Sequence, residues 1–292
     1  TYDGGANGYP YIVKNHFELK NACRVLFRGN RLMNVWAGFS QKGGSIVMGS
    51  GSQHGLCPLT CQVHDVTLAY NYISNAVQAL EIENGGDDKG WFGFEGKNFS
   101  IHDLLADGLD FPTAYKSAAG PFKVGIDTGP TAPTSDILAN ITMNHITLVE
   151  EGATVGGFLS MMGPAPAAET GIVWKNSIVL AGKYGVFSSG GAGNCASALT
   201  VSPKEKFDAC WVAPYVFTNN LILGGNTIPK DVWPAGNITY ATSQAGTYVN
   251  FNGGSMGDYH LAPNSPGKGA ADDGTDAGAN VDAVTREIAG IR

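Results

Sequence analysis

The chain reads Val66-Thr67-Leu68-Ala69-Tyr70-Asn71-Tyr72-Ile73, an apolar stretch that ends in asparagine, one further residue and isoleucine. The same ending, with isoleucine or leucine two residues after the asparagine, returns at intervals of 32 to 44 residues. Its copies begin at Asn30, Asn71, Asn144, Asn176 and Asn220, and aspartate takes the same place at Asp103. Self-similarity on this scale is typical of stacked supersecondary units, none of which can bury its apolar face alone. The repeat therefore predicts a stacked architecture.

Each copy fits a template of strand, corner and second strand. Residues 24–27 and 66–69 precede a corner, and residues 45–48 and 79–83 follow one. These runs are short, rich in β-branched or aromatic residues and without helical periodicity. Asparagine tolerates a left-handed backbone, and its amide can bond to units above and below. We therefore expect the six repeat residues to form a structural ladder at equivalent buried corners.

Three repeat folds compete for this pattern. Leucine-rich repeats need a shorter period, and the β-propeller signatures are absent. A parallel β-helix tolerates turn loops of any length, so it fits the uneven spacing. We predict an all-β chain, a right-handed parallel β-helix (solenoid) with long turn loops and a short helix near residues 281–288, as one domain over residues 1–292. An irregular β-sandwich is the alternative.

Composition restricts the partners. The net charge of −7 argues against nucleic acid, because phosphate binding needs clustered lysine and arginine. The sequence has no run of 18 apolar residues, so we expect no membrane span.

The five cysteines predict disulfides. Cys57 and Cys61 flank a proline, and Cys195 and Cys210 flank a polar loop, so two bonds would leave Cys23 free. A zinc site is the weaker alternative, because the spacing of a second ligand pair is missing. Oxidised cysteines would indicate a secreted, periplasmic or cell-surface protein.

The stretch Phe17-Glu18-Leu19-Lys20-Asn21 and the ending Asp258-Tyr259-His260-Leu261-Ala262-Pro263-Asn264-Ser265-Pro266-Gly267 resemble secreted bacterial proteins of the pectin-lyase-like right-handed β-helix superfamily. The resemblance implies the fold more strongly than a reaction, because many activities use this scaffold. It also implies that the chain could be the C-terminal portion of a longer one, with further units upstream.

Alternation along the second strands predicts one polar face. If the apolar residues point inward, the outward residues form an acid-rich patch with lysines between the acids. Its members are Glu18, Lys20, Glu81, Glu83, Lys123 and Asp127. In the superfamily that the chain resembles, such a face commonly holds an extended polysaccharide.

Loops beside this face add candidates for substrate binding. Trp91 could stack on a sugar ring, His54 could contact substrate, and Asp87 and Asp88 could act as acid, base or calcium ligands. A second acidic run, residues 272–276, is a weaker calcium candidate. The alternative for residues 85–90 is an ordinary solvated turn.

Two cleavage mechanisms remain open. A glycoside hydrolase needs two carboxyl groups, and several possible pairs are offered by Glu81, Glu83, Asp87, Asp88 and Asp127. A uronate lyase needs a base and a cation, and Glu18-Leu19-Lys20 is similar to the Glu-x-Lys strand of β-helix alginate and chondroitin lyases. That resemblance implies Lys20 as base and Glu18 as a calcium-assisting acid. The family's arginine is missing on the following coil, where the chain reads Met48-Gly49-Ser50, and His54 or Lys123 could substitute for it.

We therefore expect catalysis at Lys20, Glu18, Glu81 and Glu83. The alternative for Glu18 and Lys20 is an exposed ion pair that contributes about 0–1 kcal/mol. A second hypothesis is a non-catalytic adhesin or fibre-forming surface protein that associates end to end or laterally, because uncovered terminal strands can pair with other chains.

Overall fold

In a computed structural model of the chain, the structure describes residues 13–35, 43–51, 61–84, 94, 96–109, 124–130, 138–151, 157–161, 169–182, 184–187, 195, 202–224, 232–240 and 244–290. These residues form short strands, two short α-helices and connecting turns, so the prediction of a mostly β chain is confirmed. None of the helices in the described ranges has the length and apolar character needed to cross a membrane.

The strands of the first half are β1 (Phe17–Leu19), β2 (Ala22–Arg28), β3 (Arg31–Val35), β4 (Gly44–Ser50), β5 (Val63–Ala69), β6 (Tyr72–Ala76), β7 (Gln78–Asn84), β8 (Lys97–Leu109), β9 (Val124–Pro130) and β10 (Leu138–Glu150). Those of the second half are β11 (Gly157–Met161), β12 (Glu169–Thr170), β13 (Val173–Lys175), β14 (Ile178–Leu180), β15 (Val186–Phe187), β16 (Trp211–Val212), β17 (Val216–Thr218), β18 (Leu221–Leu223), β19 (Ile238–Tyr240), β20 (Tyr248–Asn250) and β21 (Asp258–Leu261). The helices are α1 (Pro203–Cys210) and α2 (Val281–Glu287).

The chain visits two sheets in turn. The first sheet has six strands in the order β1-β4-β7-β9-β11-β15, and the main path of the second is β19-β18-β14-β10-β8-β5-β2. Within these two sheets, each strand pairs in parallel with its counterpart from the previous visit, whereas β20 and β21 form a separate antiparallel pair. We call one visit to both sheets a coil, so that β1, β2 and β3 form the first coil and β4, β5 and β6 the second.

The core lies between the two sheets. In the first sheet, Phe17, Ile46, Leu80, Ile126 and Leu159 align in register, and the last four are buried. Since residues at alternate positions of a strand share a face, this row fixes which side chains point outward.

Helix α1 closes the C-terminal end of the first sheet. It was not predicted from the sequence. Ser202 and Glu205 form a reciprocal capping box at its start, a signal present in the sequence. The side chain of Phe207 stacks on Trp211 with ring centroids 4.3 Å apart. The predicted Cys195–Cys210 disulfide ties the end of α1 to the preceding loop.

The six predicted ladder residues are not equivalent, so that prediction is wrong in part. Strand register aligns Asn30, Asn71, Leu104, Ile146, Ser177 and Asn220 in one row, the ladder row, which continues to Asn237. Asp103 and Asn176 lie one residue earlier, and Asn144 lies two residues earlier. The earlier row makes the bend, because Tyr70, Asp103, His145 and Asn176 all have φ between 50° and 55°. Asparagine suits both the bend and the ladder.

The C-terminal segment runs back along these corners. Its hydrogen bonds reach later coils first and then earlier ones. Ala270 bonds to Asn219, Asp272 to Asn176, Gly278 to His145, and Asn280 to Asp103. Helix α2 ends at the first coil, where the carboxylate of Glu287 accepts hydrogen bonds of 2.8 and 3.0 Å from Arg28. The helix predicted near residues 281–288 therefore exists, and its C-terminal end lies at the first coil.

Candidate functional site

Three predicted site residues share one row of the first sheet. Glu18 pairs with Val47, Val47 with Glu81, Glu81 with Asp127, and Asp127 with Ser160. We call these five positions the carboxylate row. Neighbouring strands of a sheet lie about 4.8 Å apart, so Glu81 and Asp127 are direct neighbours and Glu18 is two strands from Glu81.

Glu83 and Lys20 belong to the next outward row. Glu83 pairs with Gly49, and Lys20 follows Leu19, whose partner Met48 precedes Gly49. A Cβ atom at Gly49 would lie 2.6 Å from Cγ of Glu83, so the side chain of Glu83 crosses the space that glycine leaves open. The resemblance implies an arginine here, but the chain has Gly49. This glycine therefore leaves room for the acidic side chain of Glu83.

The first coil holds an ion-paired cluster. Glu18 accepts hydrogen bonds from Lys14 at 2.7 and 2.9 Å, and its carboxylate lies 3.1 Å from Nζ of Lys20. Burial opposes ionisation of Glu18, but the hydrogen bonds and charges of Lys14 and Lys20 hold its pKa below the ordinary value. Lys20 would have to leave this pair and lose a proton before it could act as a base.

The carboxylate row is not uniformly exposed, which corrects the expectation of an open polar surface. The side chain of Glu18 is 23% exposed, whereas Glu81 is only 5% exposed and Ser160 is buried. Neighbouring groups therefore cover Glu81 and Ser160 more fully than they cover Glu18. Alternation along a strand gives the outward direction but not what lies beyond it.

Several predicted residues lie outside the described part of the chain. For Asp127 the structure describes only the backbone, which places it in the carboxylate row. The substrate-binding candidates His54, Asp87, Asp88, Trp91 and Lys123 lie outside the described residues altogether. Cys57 lies outside them too, although Cys61 is disulfide-bonded and Cys23 is free, as predicted.

A polar cleft of about 420 Å³ lies elsewhere, between the corners of the second sheet and the C-terminal segment. No pattern in the sequence predicted this cleft. Its side chains include His145, His260, Asp273 and Asp282. The four acids in residues 272–282 were visible in the sequence, but the histidine that Asp273 contacts, His145, is 128 residues away.

Each histidine of the cleft lies between two hydrogen-bond acceptors. His260 contacts Asp258 at 2.6 Å and Asp282 at 3.2 Å, and the hydrogen bond to Asp258 raises its pKa against the opposing effect of burial. His145 contacts Asp273 at 3.0 Å and the carbonyl oxygen of Gly278 at 2.9 Å. Hydrogen bonds from Thr275, and then from His145, lower the pKa of Asp273 to about 2.

The acids of residues 272–276 are engaged by protein donors. Asp272 accepts from Lys175 and Asn176, and Asp276 accepts from Lys268. Within the described ranges there is no group of three or more His, Cys, Asp or Glu side chains arranged to hold a metal ion. The arrangement of this run thus serves to attach the C-terminal segment to the coils.

A buried carboxylate attaches the segment at a second place. Asp107 is fully buried and accepts hydrogen bonds of 3.0 Å from the hydroxyl of Tyr72 and 2.7 Å from the backbone nitrogen of Met256. Burial raises its pKa, although Ser74, Met256, Tyr259 and Tyr72 donate to it. This group is inaccessible to a substrate and has a structural role.

Comparison of the chain with protein-family models, with curated proteins and with solved structures found no match.

Proposed function

We propose that this chain is a secreted carbohydrate-active protein that binds an extended polysaccharide along the carboxylate row and cleaves it. We further propose that its two parallel sheets belong to a right-handed parallel β-helix of the pectin-lyase-like kind. The observation that carries the proposal is the register of Glu18, Glu81 and Asp127, which repeats a carboxylate along one line of neighbouring strands. A polymer with regularly spaced hydroxyl groups would match such a line.

Hydrolysis is the reaction that this geometry supports best. Retaining glycosidases use two carboxyl groups about 5–5.5 Å apart, and residues in register on adjacent strands have a similar spacing. The backbones of Glu81 and Asp127 are in register on adjacent strands, and the burial of Glu81 would limit the access of bulk water to the bond. In this mechanism one carboxyl attacks the anomeric carbon while the other protonates the leaving oxygen and later activates water.

The lyase mechanism has weaker support. Its base would be Lys20, whose ammonium group is paired with Glu18. In the same row the chain has a glycine at the place where an arginine would neutralise the carboxylate of a uronate. Calcium could take over that neutralisation, with Glu18 as one ligand. Location outside the cytoplasm is supported by the Cys195–Cys210 disulfide, because such bonds persist in oxidising compartments.

The test is a screen of the purified protein on acidic and neutral polysaccharides, each with and without calcium. Reducing ends and ultraviolet absorbance of unsaturated products are read separately. Hydrolysis predicts new reducing ends without absorbance, whereas β-elimination predicts both. Binding without either product would leave a carbohydrate-binding role and end the enzymatic proposal.

A second candidate function is assembly at a cell surface, without catalysis. The observation that favours it is that, among the described residues, no strand pairs with β1, β2 or β3 on the side away from the second coil, since unpaired strand edges readily add further strands. Complete absence of binding in the polysaccharide screen would move this candidate ahead.

A further inference from the structure

A turn near the end of the chain is attached to the second sheet by polar contacts. It consists of residues 251–257, between β20 and β21. The hydroxyl of Ser255 donates a hydrogen bond of 3.1 Å to the side-chain oxygen of Asn75 in β6. The backbone nitrogen of Met256 donates one of 2.7 Å to the carboxylate of Asp107 in β8. The position of the turn on the stack therefore depends on these two acceptors.

Met256 has an uncommon backbone conformation within this turn. Its φ is 53°, in the left-handed region that side chains other than asparagine, aspartate and histidine rarely adopt. Its N–H is held by Asp107, and its carbonyl oxygen accepts a hydrogen bond of 3.3 Å from the side chain of Asn252. A left-handed residue of this kind persists where the surrounding contacts hold it. The contacts of Met256 therefore help to set the path of the turn.

The sulfur atom of Met256 reaches the same buried carboxylate through a tyrosine. The hydroxyl of Tyr72 donates to the sulfur at 3.4 Å and lies 3.0 Å from each carboxylate oxygen of Asp107. The hydroxyl of Ser74 lies 4.0 Å from the sulfur. A tyrosine hydroxyl has a single proton, so the sulfur and the carboxylate share it. A change at the sulfur is therefore felt by a carboxyl group that is itself fully buried.

Exposure separates Met256 from the other methionines of the described ranges. Met256 is 52% exposed, and Met33 in β3 is half-buried. The three that remain are at most 2% exposed: Met48, Met143 and Met161. An oxidant has to touch the sulfur, so susceptibility to oxidation follows exposure. Among these five methionines, Met256 is the one that a dissolved peroxide reaches most readily.

We propose that Met256 is an oxidation-sensitive modification site, and that its conversion to the sulfoxide by hydrogen peroxide loosens the turn of residues 251–257 from the stack. In this reaction a lone pair of the sulfur attacks one oxygen of the peroxide, and the S–O bond forms as the O–O bond breaks. The hydroxide that leaves takes the proton of the transferred hydroxyl group and becomes water. The sulfur is oxidised by two electrons, and the peroxide is reduced by the same two.

The sulfoxide changes the hydrogen bonds at this contact. A thioether sulfur is a weak acceptor, whereas the sulfoxide group is polar and its oxygen is a stronger acceptor. If that oxygen takes the proton of Tyr72, Asp107 loses a donor and shifts towards its protonated form, which accepts less strongly. If the sulfoxide turns to water instead, the side chain draws the backbone of Met256 away from Asp107. Both routes weaken the bond from the N–H of Met256 to the carboxylate.

The first test is oxidation of the folded chain with hydrogen peroxide, followed by peptide mass spectrometry. The protein carries Cys23→Ser, because Cys23 is an exposed free thiol that would also react. We expect Met256 to be oxidised at least about tenfold faster than Met48, Met143 and Met161, and the difference to disappear in denaturant. Equal rates in the folded chain would overturn the proposal.

The second test is hydrogen exchange of the oxidised chain. The amide of Met256 should exchange at least about tenfold faster after oxidation, because an amide exchanges when its local hydrogen bond opens. Methionine sulfoxide reductase should restore slow exchange. Met256→Leu removes the sulfur and should make exchange in the turn insensitive to peroxide. Met33→Leu is the matched control and should keep the full response.

Met256→Gln supplies a version of the test without an oxidant. Glutamine places a neutral polar group near the position of the sulfoxide, so this variant should show fast exchange in the turn before any peroxide is added. Selective oxidation of Met256 with unchanged exchange in residues 251–257 would overturn the loosening of the turn. Faster exchange that persists in peroxide-treated Met256→Leu would assign the effect to another residue and would also overturn the proposal.

Discussion

Oδ1 of Asn71 lies 3.0 Å from the backbone nitrogen of Asn30 and 3.0 Å from its side-chain nitrogen, so one carbonyl group accepts twice from the preceding coil. The amide nitrogen of Asn71 donates in turn to the carbonyl oxygen of Phe27 at 2.9 Å. Asn220 repeats this arrangement with Ser177 and Trp174. Each such residue completes the backbone hydrogen bonds where the chain turns and the sheet ladder is interrupted.

Replacement of Asn220 by alanine should lower the free energy of unfolding by about 1–3 kcal/mol, because buried backbone groups lose their partners. Asn144→Ala is the control. Asn144 is only half-buried, lies outside the ladder row and bonds through its side chain to Asn176. Urea denaturation of both variants measures the difference, and equal losses would show that the ladder row has no special role.

Sequence patterns predicted the strands and the carboxylate row because both depend on local alternation. The apolar residues Phe17, Leu80 and Ile126 fix the inward face, and the outward positions follow from the period of two residues. The ladder could not be aligned from sequence, because asparagine serves the left-handed bend at Asn176 and the amide ladder at Asn71 equally well.

The remaining features depend on contacts between distant segments. The burial of Glu81 depends on the groups around it and does not follow from the alternation of residues along its own strand. The cleft is formed by pairs such as His145 and Asp273, which are 128 residues apart. A strand pattern carries no information about such pairs.

The buried carboxyl of Asp107 should give stability a pH dependence. Its folded-state pKa is raised above 3.8, mainly by burial, so the folded chain holds this proton more tightly than the unfolded chain. Its contribution to stability is complete below about pH 3.8 and falls as the pH rises through the folded-state pKa.

Asp107→Asn should remove that fall, which chemical denaturation between about pH 3.5 and pH 7 can measure. Tyr72→Phe is the companion variant, because it removes the hydroxyl that donates to the carboxylate but leaves the carboxyl in place. It should lower stability at neutral pH and retain a pH-dependent slope. An unchanged slope in Asp107→Asn would assign the pH dependence to other groups.

His260, like Asp107, should stabilise the folded chain more at low pH than at high pH. The protonated form of Asp107 is neutral, whereas the protonated form of His260 is a charged imidazolium. Its folded-state pKa is raised above 6.5 by Asp258 and Asp282, so its contribution is fully present below about pH 6.5 and is lost as the pH rises through the folded-state value. His260→Gln should abolish this component. Because the ring is partly exposed, the effect should stay below about 1 kcal/mol. Asp282→Asn should reduce it, and a variant with the parental pH profile would contradict the assignment.

The cysteines give a prediction that needs no assay of function. Intact mass after denaturing alkylation without reductant should show one labelled thiol, Cys23, and Cys23→Ser should remove it. Replacement of both Cys195 and Cys210 by serine should cost about 3 kcal/mol, the value for a loop of this length. Labelling of every cysteine before reduction would remove the argument for an oxidising compartment.

The last prediction separates the two cleavage mechanisms by the burial of their key residues. On a polysaccharide that the parent cleaves, Glu81→Gln should abolish hydrolysis, because the amide keeps the size of the side chain but cannot attack or transfer a proton. Lys20→Ala should then lose at most part of the activity, as should Lys14→Ala, the matched control that also pairs with Glu18 but precedes β1. Both lysine variants should unfold within about 1 kcal/mol of the parent, since exposed ion pairs contribute little.

β-Elimination predicts the reverse order for the same three variants. Lys20→Ala would then abolish activity and the ultraviolet absorbance of the product, while Lys14→Ala would keep both. The burial of Glu81 makes a stability control necessary, so the melting temperature of Glu81→Gln has to be measured beside its kcat. A folded Glu81→Gln variant and a folded Lys20→Ala variant that both retain full activity would show that the carboxylate row is not where this chain cleaves its substrate.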